Sequence, residues 1–354
     1  MLVHICCSVD SHYFLQRLQK EYPDEKLVGF FYDPNIHPYS EYRLRYEDVK
    51  YSCDILGIEL LEGEYNLQRW MELTKGMEDE PEKGDRCTVC FEHRLEVSVK
   101  KAIQLDHDKF TTTLLISPKK SQDKLETIGK QLSKKYHCEF IFKDYRSGKG
   151  VELQGKEVKN NNLYRQNYCG CLYALNAQRD IQNKLADELM LPIGKQILPE
   201  SIEERLALYK KRDNCSQIIK QRFLNYRLLS AKVIKEKVVI PSYFLPYSTL
   251  KNNKSQGRVE KIIDDIYYFN RDEIKLISLD YFNDFFNTNY KNVLDLVYDP
   301  LLFEDDLKLR AKITHNSHYD LSCIIVLDKL DDKKLTINCN SKVYDDVREC
   351  SIEL

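Results

Sequence analysis

The chain begins Met1-Leu-Val-His-Ile-Cys-Cys-Ser-Val-Asp10, and this stretch sets its organisation. The apolar run at residues 2–7 predicts a buried first strand that ends at two adjacent cysteines, Cys6 and Cys7. Asp10 follows three residues later, so the loop after the strand carries both thiol and carboxylate ligands. In open α/β sheets, ligands gather at the carboxyl ends of strands. The stretch therefore predicts a metal site at the tip of a first strand.

Strand-like and helix-like segments alternate after this tip as far as about residue 191. Apolar, β-compatible runs lie at 26–32, 58–62, 109–116 and 139–143, and segments with helical spacing separate them. Such alternation is typical of a parallel sheet flanked by helices. The predicted fold class is α/β, a Rossmann-like sheet of the PP-loop/HUP-like kind, with a C-terminal helical and α+β extension. The polar segment 148–162 is predicted to be a loop.

Composition limits the class of protein. The chain has 354 residues, enough for two domains, and 54 Lys+Arg against 56 Asp+Glu, so the overall charge gives no sign of nucleic-acid binding. No basic leader precedes a long apolar run, and no stretch approaches about 20 apolar residues, so we expect a cytoplasmic protein without membrane contact. In that setting, paired cysteines among the 12 favour metal binding or redox chemistry over structural disulfides.

The second half differs in charge pattern from the first. We expect a catalytic, metal-binding domain at 1–195 and an accessory domain at 196–354. Segment 203–237 is predicted to be helical and basic, and 260–306 reverses the sign with twelve Asp/Glu against four Lys/Arg. The basic segment, with Lys210, Lys211 and Arg212, is either an RNA-phosphate contact or a solvated charged face.

A Cys-x-x-Cys motif, Cys87-Thr-Val-Cys90, stands at the predicted start of a helix. Two intervening residues let both sulfurs turn toward one metal, and a helix N-terminus favours thiolates. The motif alone fits zinc, an iron–sulfur cluster or a redox pair. Together with Cys6 and Cys7 it offers four thiolates, which suits a 4Fe–4S cluster or zinc.

A third cysteine unit, Cys169-Gly-Cys171, permits either a short-loop, oxidising disulfide or two thiolates on one metal. His37 lies between Asn35 and Pro38 on the loop after the second predicted strand, where such folds bind ligands. It is a candidate functional residue. Its alternative is a purely structural role.

The region from about residue 2 to 190 resembles the epoxyqueuosine reductase family of the QueH type. Six ordered motifs carry the resemblance. They are His4-Ile-Cys6-Cys7, Phe31-Tyr-Asp-Pro-Asn-Ile-His-Pro38, Glu41-Tyr42, Asp85-Arg-Cys-x-x-Cys90 with Arg94-Leu95, Thr111-Thr-Thr-Leu-Leu-Ile-Ser-Pro118, and Tyr164-Arg-Gln-x-Tyr-Cys-Gly-Cys171.

The resemblance implies an oxidoreductase that converts epoxyqueuosine to queuosine at the wobble position of tRNAs with a G-U-N anticodon, those for Tyr, His, Asp and Asn. It implies an iron–sulfur enzyme that needs no cobalamin, with an electron donor of unknown identity. By motif, Cys6, Cys7, Cys87 and Cys90 are the expected 4Fe–4S ligands. Cys169 and Cys171 match the family's redox-active pair.

Asp10 stands where many members of that family carry a further cysteine. A carboxylate there is still a metal ligand, so an additional mononuclear ion, iron or zinc, is a candidate beside the cluster. Asp10 and His37 are also candidate proton donors for release of the epoxide oxygen, next to Cys169 and Cys171 as electron donors.

Two other functions compete. A PP-loop tRNA-modifying enzyme is suggested by Cys7-Ser8-Val-Asp-Ser11 after the first strand, although the glycines that let a backbone approach phosphate are missing. A non-catalytic zinc scaffold that holds RNA or protein would need four cysteines only. That function leaves Cys169 and Cys171 without a role.

Overall fold

A five-stranded parallel sheet forms the centre of the N-terminal half. The computed structural model describes residues 1–190, 192, 195–212, 215–317 and 320–353. The strands of this sheet are β1 (Leu2–Ile5), β2 (Val28–Phe31), β3 (Glu59–Glu62), β4 (Lys109–Thr112) and β5 (Glu139–Phe140). Their order is β3-β2-β1-β4-β5, and all neighbours run parallel. The predicted Rossmann-like α/β fold is confirmed.

Helices connect and cover these strands. They are α1 (Ser8–Glu21), α2 (Tyr39–Leu56), α3 (Leu67–Leu73), α4 (Asp85–Gln104), α5 (Gln122–Tyr136), α6 (Gly150–Asn160), α7 (Leu172–Ile181) and α8 (Ile202–Lys210). Every residue of β1 is buried, because this central strand has helices on both faces. Parallel strands end at one edge, so the residues after β1, β2 and β4 emerge on the same side of the sheet.

Two local predictions for this half need correction. The strand predicted at 109–116 ends at Thr112, because the Thr112 hydroxyl accepts a hydrogen bond from the Leu114 N–H at 3.2 Å and starts a 3₁₀ turn at Thr113–Leu115. The loop predicted at 148–162 is wrong. Helix α6 occupies most of it, because Gln154 and Val158, four residues apart, form one buried face against α1.

The chain forms two compact units. The first contains the described residues within 1–190, 205–218 and the last few positions, and the second contains those within 191–204 and 219–350. The remaining elements are β6 (Cys215–Lys235), β7 (Val238–Ile240), β8 (Tyr243–Phe244), β9 (Lys254–Gly257), β10 (Val259–Ile263), β11 (Ile266–Phe269), β12 (Ile274–Ser278), α9 (Leu279–Phe286), α10 (Val293–Tyr298), α11 (Phe303–Ile313), β13 (Cys323–Leu327) and β14 (Leu335–Glu353). The strands among them form two sheets, β10-β11-β12-β13-β8 and β7-β6-β14-β9. The predicted α+β character of this half is confirmed.

The helix predicted over 203–237 is wrong beyond α8. Strand β6 takes its place and forms an antiparallel hairpin with β7. Its β-branched residues lie in two pairs on β6, Ile218-Ile219 and Val233-Ile234, and Val233 is buried in a core built by the sheets. Hydrogen bonds to the neighbouring strands thus stabilise this segment as a strand, although the spacing of its charged residues suggested a helix. Among the described helices, none has the length and apolar content that crossing a membrane requires.

Candidate functional site

The tip of β1 brings three potential ligand side chains together. The ligand atoms of Cys6, Cys7 and Asp10 all lie within 4.8 Å of one another. The two Sγ atoms are 3.7 Å apart, and the Cys6 Sγ lies 3.9 Å from the Asp10 carboxylate. Cys7 caps helix α1 and Asp10 lies in its first turn, so the helix dipole favours negative charge on this group. Two thiols and a carboxylate at this spacing form a donor set for a soft or borderline metal.

Side chains from other elements orient this tip. Gln154 of α6 donates from Nε2 to the Asp10 Oδ1 at 2.9 Å, and Gln166 donates from Nε2 to the Cys7 Sγ at 3.1 Å. Burial raises the pKa of Asp10, although hydrogen bonds from Ser117 and Cys7 oppose this. The hydrogen bond with Cys6 and burial raise the pKa of Cys7. Such neighbours fix the geometry of metal ligands.

Helix α4 presents the Cys-x-x-Cys pair. Cys87 is half-buried and accepts a hydrogen bond from the Lys83 N–H at 3.3 Å. Cys90 is buried and packs in an apolar cluster with Trp70 and Cys171. The α4 pair thus lies next to the third cysteine unit.

The loop that carries Cys169 and Cys171 is firmly anchored. The Arg45 guanidinium donates to the carbonyls of Tyr168 and Cys169 at 3.0 and 3.1 Å. The His37 N–H donates to the Gly170 carbonyl at 2.8 Å, and the Tyr168 hydroxyl donates to the His37 carbonyl at 2.7 Å. Gly170 has φ of 104°, and a Cβ there would meet Ile36 at 2.9 Å. Only glycine fits this position.

Lys120 is paired with Cys169. Its Nζ donates to the Cys169 Sγ at 2.9 Å. Burial alone would raise the pKa of Cys169, but Lys120 and Arg45 lower it below its usual range. Burial raises the pKa of Cys171 to about 12. The two thiols of the pair therefore differ, because only Cys169 has a stabilised thiolate form.

A cavity of about 170 Å³ opens between these groups. Of the predicted site residues, Cys6, Asp10 and Cys169 line it. His37 contributes its backbone to the Cys169 loop, and its side chain is not part of the cavity wall within the described chain. Five cationic side chains share the wall with two carboxylates: Arg45, Arg94, Lys119, Lys120 and Arg165 with Asp10 and Asp33.

Arg94 connects the three cysteine units electrostatically. It is buried and forms an ion pair with Asp33 on the loop after β2. Burial alone would lower the pKa of Arg94, but Asp33 and the thiols of three cysteines, Cys90, Cys6 and Cys169, raise it. Burial raises the pKa of Asp33 to about 6 even with the guanidinium beside it. One buried cation thus interacts electrostatically with one cysteine of each motif.

Sequence reasoning missed several of these residues. Lys120 follows the Ser117-Pro118 pair after the fourth predicted strand, and Gln166 lies within the Tyr164–Cys171 motif. Gln154 lies on the segment predicted to be a loop, where no helical periodicity indicated a buried position. Position at a strand end is the one signal that points to Lys120.

Arg212 matches neither alternative for the basic segment, an RNA-phosphate contact or a solvated charged face. It is buried, forms an ion pair with Asp48 and stacks 3.8 Å from the centre of the Tyr51 ring. Asp48 also accepts hydrogen bonds from Ser8 and from the Tyr164 N–H. Arg212 is therefore part of the packing of the first unit, whereas Lys210 and Lys211 are exposed.

Comparisons with known proteins agree with the motif pattern. The family model described as Epoxyqueuosine reductase QueH matches residues 1–177. A protein named Epoxyqueuosine reductase QueH from Helicobacter pylori is 40% identical, over 96% of this chain and 97% of that protein. One of the same name from Thermotoga maritima is 34% identical, over 51% of this chain and 92% of that protein. The solved structure of the U34-tRNA thiolase NcsA from Methanococcus maripaludis with its [4Fe-4S] cluster has a TM-score of 0.22 and 16% identity over 45% of this chain and 66% of that one, which is too weak to assign fold or function. The chain belongs to the QueH family of epoxyqueuosine reductases.

Proposed function

We propose that this chain reduces epoxyqueuosine to queuosine at the wobble base of tRNA without cobalamin. The observation that carries the proposal is the cavity lined jointly by Cys6, Asp10 and Cys169, in a chain of this family. Metal-ligating groups and one member of a thiol pair surround the same space. The proposed substrates are the tRNAs with a G-U-N anticodon.

Among the described residues, Cys6, Cys7 and Asp10 lie within reach of one metal ion, and Cys87 and Cys90 of α4 are the further thiols that we propose for an iron–sulfur cluster with Cys6 and Cys7. Asp10 is the proposed ligand of an additional mononuclear ion. When bound, such groups supply single electrons and a Lewis acid for the epoxide oxygen. The hydrogen bonds of Gln166 to Cys7 and of Gln154 to Asp10 hold the ligands in place.

The thiol pair balances the reaction. Reduction of the epoxide to an alkene breaks both C–O bonds and takes up two electrons and two protons, and the oxygen leaves as water. Closing a disulfide between Cys169 as thiolate and Cys171 as thiol releases two electrons and one proton, and an acid on the cavity wall supplies the second proton. An external reductant must then reopen the disulfide before the next turnover.

Residues on the cavity wall set the protonation states that the disulfide step and the release of the oxygen require. Lys120 favours the thiolate of Cys169, the sulfur that faces the cavity, and Cys171 remains a buried thiol. Asp33 has one carboxylate oxygen without a hydrogen-bond partner among the described residues, and its pKa of about 6 leaves only a minor protonated fraction at neutral pH, which rises as the pH falls toward 6. We propose Asp33 as a further acid that protonates the leaving oxygen, and Asp10 stays a predicted catalytic residue as well as a ligand. His37 stays a predicted catalytic residue.

The cations on the wall suit a polyanionic substrate. Arg45, Arg94 and Lys120 are buried or half-buried, whereas Lys119 is exposed at the rim. Five cations against two carboxylates give the wall an excess of positive charge, which attracts nucleic acid and steers it toward the site. The wobble base must leave its stack to enter such a cavity.

Anaerobic turnover tests the proposal. The protein is reconstituted with iron and sulfide, mixed with epoxyqueuosine-containing tRNA and a chemical reductant, and the nucleosides are identified by mass spectrometry. We expect queuosine with reconstituted protein, none with metal-free protein, and no effect of added cobalamin. A brown protein with absorbance at about 400 nm that yields no queuosine would contradict the reductase function. Protein that takes up zinc alone would favour the scaffold instead.

A further inference from the structure

The sheet β7-β6-β14-β9 of the second unit has one face in the core and one toward solvent. On β14, Leu335 and Ile337 are buried in the core. Because side chains alternate between the faces of a strand, Thr336 lies on the other face. Its register partner on β9 is Gln256, whose Nε2 donates to the Thr336 hydroxyl at 2.9 Å. These two side chains form a polar floor on the outer face.

A groove of about 420 Å³ crosses this floor and is strongly cationic. Its walls come from the end of β6, the β6–β7 turn, β9 with the residue after it, and the start of β14. The lining residues are Ile234, Glu236, Lys237, Gln256, Arg258, Lys333, Lys334 and Thr336. We call it the β6–β14 groove.

Three of its four cations have no carboxylate to neutralise them. Lys333 pairs with Glu236 at 2.9 Å. Within the described part of the chain, Lys237, Arg258 and Lys334 form no ion pair, and all three are exposed. Like charges that converge on one groove repel each other, so the arrangement is more favourable when an anion fills it.

The distribution of these cations favours a chain of phosphates over a single small anion. They come from three separate segments and remain solvated, whereas a site for one ion needs buried donors that converge on it. Lys and Arg spaced along an open groove are the pattern that binds a nucleic-acid backbone. Ile234 adds an apolar contact suited to a ribose.

The second unit lies beyond residues 1–177, the part of the chain that the family model matches. The match to the Thermotoga maritima protein covers 92% of that protein but only 51% of this chain, whereas the Helicobacter pylori match covers 96% of this chain. We propose that the β6–β14 groove binds backbone phosphates of the tRNA substrate. The identity of the RNA as tRNA rests on the proposed reductase function.

The test measures binding of an in-vitro-transcribed tRNA with a G-U-A anticodon to the full chain by anisotropy over a range of KCl concentrations. The variant replaces Lys237, Arg258 and Lys334 by Ala. We expect affinity to fall by about tenfold or more at low salt, and the slope of log affinity against log salt to shrink by about 2 to 3, because up to three phosphate contacts are lost. The matched control replaces three exposed lysines of the same unit outside the groove, Lys251, Lys291 and Lys312, and should keep the original slope.

An unchanged slope in the groove variant overturns the proposal, as does an equal loss in the control. Displacement of the tRNA by inorganic phosphate, beyond the effect of KCl at equal ionic strength, would also overturn it and assign the groove to a small anion. Binding is measured without turnover. A parent protein that fails to make queuosine but shows the expected slopes would therefore contradict the reductase function alone.

Discussion

The Nζ of Lys120 lies 2.9 Å from the Sγ of Cys169, and this pair joins the loop after β4 to the third cysteine unit. The cation lies at the wall of the cavity that Cys6 and Asp10 also line. It distinguishes Cys169 from Cys171, which burial keeps as a thiol with a pKa of about 12. The contact thus assigns unequal roles to two cysteines that look equivalent in the sequence.

Replacing Lys120 by Gln should raise the pKa of Cys169, because the ammonium that stabilises the thiolate is lost. The alkylation of Cys169 by iodoacetamide in metal-free protein, followed by mass spectrometry, should then require a higher pH. A profile displaced by about one pH unit means alkylation about tenfold slower at neutral pH. Lys119→Gln, which changes an exposed neighbour, should leave the profile unchanged. Identical profiles in both variants would contradict the role of Lys120.

Cys169→Ser should abolish multiple turnover and leave the iron content intact. The serine cannot close a disulfide, whereas the proposed cluster ligands are untouched. Iron per chain and queuosine per enzyme are the two measurements. Cys350→Ser, on β14 of the second unit, serves as the control and should retain both. Full turnover by Cys169→Ser would refute the disulfide step.

Asp10→Asn should lower the metal content by about one ion per chain while the cluster absorbance remains, because a carboxylate ligand is replaced by a weaker amide. Metal analysis by mass spectrometry alongside the visible spectrum checks this. Asp24→Asn, which changes an exposed residue before β2, should keep the parent metal content. Loss of the entire cluster from Asp10→Asn would place Asp10 among the cluster ligands.

Arg212→Glu should destabilise the first unit, because it replaces a buried ion pair by two buried carboxylates, the introduced one and that of Asp48. Breaking a buried pair costs about 3 to 5 kcal/mol of unfolding free energy. Chemical denaturation measures the effect. Lys210→Glu, which changes an exposed residue at the end of α8, should alter the free energy little. Equal stability of both variants would show that the Arg212 pair contributes nothing.

Asp306 predicts a pH effect on the second unit. It is buried, and burial raises its pKa to about 7, although Tyr243 and Gln196 donate to its Oδ2. The unfolded carboxyl ionises near about pH 4, so the free energy of unfolding falls as pH rises from about 4 to about 7. Asp306→Asn should remove this decline and raise the melting temperature at neutral pH, whereas Glu304→Gln on the same helix should not. A decline in Asp306→Asn as large as in the parent protein would refute the assignment.

The local sequence was sufficient to predict most of the fold of the first half. Alternating strands and helices predicted the parallel sheet, and because its strands end at one edge, Cys6, Cys7 and Asp10 had to lie there. The cysteine spacings and the six motifs also identified the family. These features depend on neighbours close along the chain, which a single sequence displays directly.

Only the tertiary structure decided the remaining features. Lys120 meets Cys169 across 49 residues, and Gln154 reaches Asp10 across 144, so neither contact has a local signal. Strand β6 forms because distant strands pair with it, although its charges suggested a helix. Arg212 is buried because Asp48 and Tyr51 enclose it, whereas the preceding Lys210 and Lys211 are exposed. In each case a contact between residues far apart in the chain stabilises the observed structure. The neighbouring residues in the sequence do not reveal that contact.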